Sequence, residues 1–129
     1  MRIALEAAYG TAFCAIGNGA NILLRRVLNL ECYRPVHVGS FIEIRGVALH
    51  VARAYIVVGL IGGPNEKGSG PWMDALIGFV QVDAEGRLKE FPQELAIGKP
   101  GAEWDSLQQR LAKLLKLRVR NGKKVSGEW

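Results

Sequence analysis

Between Phe41 and Ile61 the chain reads as two strands in succession, and no other stretch narrows the possible folds as much. Phe41-Ile42-Glu43-Ile44-Arg45-Gly46-Val47 alternates apolar and polar residues. The run continues through Leu49 and Val51, pauses at Ala52-Arg53-Ala54, and enters the β-branched stretch from Tyr55 to Ile61. A period of two sends alternate side chains to opposite faces of a sheet, so two long antiparallel strands joined by a tight connection are predicted.

Two more segments carry strand character. From Asn21 to Tyr33, Ile22, Leu24, Val27 or Leu28, Leu30 and Cys32 alternate imperfectly with Arg25, Arg26, Asn29 and Glu31. Trp72 to Val82 follows the Gly- and Pro-rich stretch 62–71, which has the composition of an exposed loop, and is closed by the hairpin-type turn Asp83–Arg87. Two segments read as helices. Residues 2–16 place Ile3, Leu5, Ala8, Ala12, Phe13 and Ile16 before Gly17-Asn18-Gly19, and so much apolar surface predicts a buried helix. Glu103 to Leu117 is amphipathic, with Trp104, Leu107, Leu111, Leu114 and Leu115 on one face and Gln108, Arg110, Lys113 and Lys116 largely on the other. The order helix, four strands, helix predicts an α+β fold in which an antiparallel sheet curls around one helix. We divide the chain into a domain over 1–92 and a C-terminal extension over 93–129 that holds the amphipathic helix and a basic tail.

A chain of 129 residues suffices for one compact core, and 49% hydrophobic content is ordinary for a globular domain. No apolar run approaches the roughly 18 residues that cross a bilayer, so no membrane partner is expected. Residues 1–16 resemble a secretory leader only superficially, because Glu6 interrupts them. Cys14 and Cys32 match no metal-ligand spacing and are expected to be small core residues in a reducing, cytoplasmic setting. The net charge of +5 favours polyanions. Much of it lies in Lys113, Lys116, Arg118, Arg120, Lys123 and Lys124, a solvated tail without the aromatic platform of a nucleic-acid surface, so nucleic acid is not expected as a partner.

Among single residues, Glu6 stands out: a carboxylate on an apolar helix costs several kcal/mol to bury unless it is paired or functional. Arg53 is suited to fork-like pairing with phosphate or to a cross-strand acid. His37 in a turn and His50 on a strand are read as structural, Asn18 and Asn21 as caps, and Trp72 as packing or as a cover over a ligand channel.

The string RPVHVGSFIEIRGVALHVARAYIVV at 34–58, following an acidic helix, resembles the hot-dog-fold acyl-CoA thioesterases. Tyr33-Arg34-Pro35-Val36 stands where the family has an aromatic-x-Pro-Val turn and Val38-Gly39-Ser40 where it has Val-Gly-Asp. Val51-Ala52-Arg53-Ala54-Tyr55 replaces Val-Gly-Arg-Thr-Ser, and Phe79–Arg87 resembles the last strand and turn. The resemblance covers residues 3–92. It implies that Glu6, in Leu5-Glu6-Ala7-Ala8, is the catalytic carboxylate, acting as general base or nucleophile on the thioester. Arg53, Ala54 and Tyr55 are the implied CoA-contacting turn. It also implies a small-molecule acyl-CoA substrate, no metal or prosthetic group beyond CoA itself, and a homo-oligomer, whether dimer, tetramer or hexamer, with the site between subunits. The strand and Gly-Gly loop that usually precede the helix would fall upstream of Met1, and Ala52 and Tyr55 depart from the family's Gly and Ser. A non-catalytic acyl-CoA-binding or assembly module is the alternative, and a hydratase of the same superfamily would place a His beside the acid.

Overall fold

The computed structural model describes residues 2–16, 21–35, 42–63, 70–91 and 99–120. A helix α1 (Arg2–Ile16) is followed by strands β1 (Ile22–Cys32), β2 (Ile44–Ala52), β3 (Tyr55–Gly62) and β4 (Met73–Gln81), a 3-10 turn (Ala102–Trp104) and helix α2 (Asp105–Arg120). The strands form one antiparallel sheet in the order β1-β4-β3-β2. β3 and β4 are therefore central, and both are buried along nearly their whole length. Their sequences are unbroken apolar runs rather than alternating ones because each face is covered by a helix.

On one face α1 lays Ala4, Ala8 and Ala12 against Ala48, Ile56, Val58, Leu60, Ala75, Ile77 and Phe79. The spacing of four puts those alanines on a single stripe, and their small side chains let the helix approach closely. Gly46 completes the fit on β2. A Cβ there would stand 2.0 Å from Thr11 Oγ1 and 3.0 Å from Leu60 Cδ2, so the position has no room for a side chain. On the opposite face α2 and the 3-10 turn bury Trp104, Leu107 and Leu111 against Leu49, Tyr55, Val57, Ile61 and Leu76. That accounts for the i, i+3/i+4 spacing of the apolar residues in α2.

Two expectations are corrected. Among the described residues α1 is covered on one side only. Glu6, Gly10 and Cys14, again four apart, form an exposed outward stripe. The cysteines are not core residues: both are exposed free thiols, Cys14 because it lies on that stripe and Cys32 because it ends an edge strand that α1 does not cover.

Irregular pairing is confined to the edge strands. β1 shifts register against β4 between Leu24 and Arg26 and again between Val27 and Asn29, and β2 shifts once against β3 between Ala48 and His50. Each bulge adds an unpaired residue and increases the local twist.

Candidate functional site

The connection between β2 and β3 is as tight as the alternation pattern predicts: Ala52 pairs with Tyr55, leaving Arg53 and Ala54 as the turn. Arg53 has φ 50°, in the left-handed region that branched and long side chains seldom adopt. The turn is held in that shape from both carbonyls. Gln81 N–H donates to Ala54 O at 2.6 Å, and Phe91 N–H donates to Arg53 O at 2.8 Å. Ala54 and Tyr55 are buried, Tyr55 against α2 and 5.9 Å from the His50 ring, so of the three turn residues only Arg53 presents its side chain to solvent. Glu6 lies on a different element, on the outward stripe of α1.

Between α1 and the β1 edge, Tyr9 packs its ring 4.6 Å from that of Phe79, and its hydroxyl accepts the Leu24 N–H at 3.2 Å. The rest of β1 is open, with Leu23, Leu24 and Leu30 among the large apolar side chains left exposed. Exposed leucines on an unpaired edge strand are the ordinary mark of a contact surface.

Sequence reasoning missed a polar cluster beneath α2. Arg110 Nη1 donates to Asp74 Oδ1 at 2.9 Å and its Nη2 to Oδ2 at 2.6 Å, a bidentate pair. Nη1 also reaches Asn29 Oδ1 at 2.9 Å, and Tyr33 Oη donates to Asp74 Oδ2 at 2.9 Å. Hydrogen bonding to Asp74 raises the Arg110 pKa, and burial followed by the Asp74 bond raises that of Tyr33. Arg110, expected on the outward face of its helix, instead turns inward, because Asp74 is buried on β4 and requires a counter-charge. The available signal was Asp74 itself, an acid inside an otherwise apolar strand.

Burial lowers the pKa of His50, which has no charged partner among the causes of its shift. Trp72 is half-buried against the α1 core, with its indole Nε1 buried and without an acceptor among the described residues. Asn21 uses its carbonyl to accept the Val82 N–H. His37 and Asn18 lie outside the described residues. Among the described residues no group of His, Cys, Asp or Glu is arranged to hold a metal ion, and no helix is long and apolar enough to cross a membrane.

One helix on an antiparallel sheet of order β1-β4-β3-β2, with a second helix behind the sheet, is the hot-dog fold. Solved structures that share it include acyl-CoA thioesterases. An acyl-CoA hydrolase from Staphylococcus aureus, solved with butyryl coenzyme A, coenzyme A and coenzyme A disulfide, superposes with a TM-score of 0.70 at 15% identity, covering 93% of this chain and 71% of its own. An apo hexameric acyl-CoA thioesterase gives a TM-score of 0.70 at 19% identity over 94% of this chain and 76% of the other. HI0827, a hexameric broad-specificity acyl-coenzyme A thioesterase, gives 0.56 at 24% identity over 88% and 74%. No protein-family model matches the sequence, and no curated protein does.

Proposed function

We propose that the protein hydrolyses acyl-CoA thioesters to a free acid and CoA. The observation that carries this reading is the fold, shared over about nine-tenths of the chain with acyl-CoA thioesterases, together with an acidic residue on the helix that the sheet embraces. Water attacks the thioester carbonyl while Glu6 takes its proton. The tetrahedral intermediate then collapses, the C–S bond breaks, and the thiolate of CoA leaves and is protonated. Alternatively the Glu6 carboxylate attacks the thioester carbonyl first, the C–S bond breaks, and the CoA thiolate leaves and is protonated. Water then cleaves the resulting anhydride to release the free acid and regenerate the Glu6 carboxylate. The reaction as read uses no metal and no prosthetic group. CoA lies with its nucleotide end toward Arg53, and Ala54 and Tyr55 contribute the shape of the turn rather than exposed side chains.

In a single chain Glu6 faces solvent, and a thioesterase carboxylate works best where water is limited. A second subunit placed along the open β1 edge and the outward stripe of α1 would close that site, so the active form is a homo-oligomer. Two free thiols are compatible with a reducing cytoplasm.

The decisive experiment is thiol release from a panel of acyl-CoAs by wild type and Glu6→Gln. Loss of about 100-fold or more in kcat for Glu6→Gln, with the fold intact by circular dichroism, is the expected result. Turnover unchanged by the substitution removes Glu6 from the mechanism. No turnover at any chain length, with CoA still bound, converts the reading to an acyl-CoA-binding module.

A further inference from the structure

We infer that α2 is a releasable strap, latched by the Arg110–Asp74 pair, and that its release loosens the turn between β2 and β3. The hold of α2 on the sheet is carried by side chains. Among the described residues no backbone hydrogen bond joins residues 99–120 to a strand. The apolar hold is short: Trp104, Leu107 and Leu111 are buried, with Leu114 and Leu115 packed beside them. The polar hold is the Arg110 guanidinium, which crosses from α2 to Asp74 on β4 and Asn29 on β1, while at the rim Arg45 of β2 pairs with Glu103. β3 and β4, by contrast, are each paired with strands on both sides.

A polar latch brings the closed and open forms near each other in free energy. Docking takes Asp74 and Arg110 out of water, and that desolvation offsets much of what their attraction contributes. On release both charges regain water, and the Tyr33 hydroxyl, carried by the end of β1 rather than by α2, is placed to go on donating to Asp74 Oδ2. Release therefore needs less free energy than unfolding the sheet. The residues under α2 include Ala52 and Tyr55, which pair with each other across the Arg53–Ala54 turn, and Val80, which pairs with Tyr55 and precedes Gln81. Gln81 N–H donates to Ala54 O at 2.6 Å and its carbonyl accepts the Lys89 N–H at 2.9 Å, while Phe91 N–H donates to Arg53 O at 2.8 Å. The flanks of a turn that holds Arg53 at φ 50° thus lie under α2, and lifting the helix removes their cover.

The test is amide hydrogen exchange of the full chain, read residue by residue by NMR at rising urea concentrations below the unfolding transition. An isolated helix of 16 residues is marginal in water, so the α2 amides report release. In wild type the amides of residues 109–116 are expected to open as one group, with a shallower urea dependence than Val57 and Leu76 at the sheet centre, and the amides of Gln81 and Phe91 to open with that group. Arg110→Met should speed exchange of the group about tenfold or more, and adding Asp74→Leu should return it toward wild type. Gly46→Ala, on the opposite face, should speed Val57 and Leu76 and leave the α2 group unchanged. If wild-type α2 opens only together with Val57 and Leu76, the strap is overturned, whether or not any variant folds. Gln81 and Phe91 amides that follow the sheet centre in Gly46→Ala, or that ignore Arg110→Met, overturn the link to the turn. An exchange rate that the second substitution does not restore overturns the latch. All of these readouts are taken without substrate, so they are independent of whether acyl-CoA is hydrolysed.

Discussion

Arg110 and Asp74 show how one buried charge redirects a residue that sequence periodicity would send to solvent. The pair is bidentate, with Asp74 nearly inaccessible and Arg110 about three-quarters covered, so removing one partner strands the other in a low-dielectric site. Arg110→Met is expected to cost about 3 kcal/mol in chemical unfolding. The double variant with Asp74→Leu should cost less than the sum of the single changes, and strict additivity would show that the pair is not coupled. His50 gives a prediction in pH. Its folded pKa lies below its unfolded value of about 6.5, so the unfolded chain binds the proton more readily. Stability is therefore expected to fall as pH is lowered from about 6.5 toward the folded pKa. His50→Gln should flatten that part of a pH series of melting temperatures, and an unchanged slope would point to other groups.

Secondary structure was largely legible because the two periods are distinct. The strict alternation from Phe41 and the β-branched run from Tyr55 mark β2 and β3, and Trp104, Leu107 and Leu111 mark the buried face of α2. Less legible was what periodicity does not encode. The exposure of Cys14 and Cys32 depends on where α1 lies across the sheet, and the inward turn of Arg110 depends on Asp74, 36 residues away. The candidate site was legible only through a resemblance: nothing in local sequence reveals that the backbone of Lys89 meets the Arg53 turn through Gln81. At this scale Gly46 is the most sensitive contact. Gly46→Ala should destabilise by about 1–3 kcal/mol, since its Cβ would meet Thr11 and the helix would have to lift. Adding Thr11→Ala should recover part of that loss in thermal melts, and no recovery would place the strain elsewhere.

At the scale of the molecule, the open side of β1 sets how copies meet. Leu24 is 39% and Leu30 36% exposed on a strand whose outer edge pairs with no other strand among the described residues. Placing lysines there raises the cost of burying that edge, so Leu24→Lys and Leu30→Lys are expected to shift the protein toward smaller species in light scattering. An unchanged mass would move the interface off β1.

The strand order has a consequence for how the chain reaches this shape. β2 and β3 are joined by two residues and can zip together locally, whereas Ile22 must find Gln81 and Cys32 must find Met73. Contacts so far apart in the chain close late, because the entropy of the intervening loop is lost before the pairing rewards it. During synthesis β1 therefore leaves the ribosome long before its partner strand exists. Truncating substitutions in β1, such as Val27→Ala, are expected to speed unfolding while barely slowing refolding, and the same kind of change in β3 should do the reverse. Stopped-flow kinetics on the two variants would show which half of the sheet is assembled first.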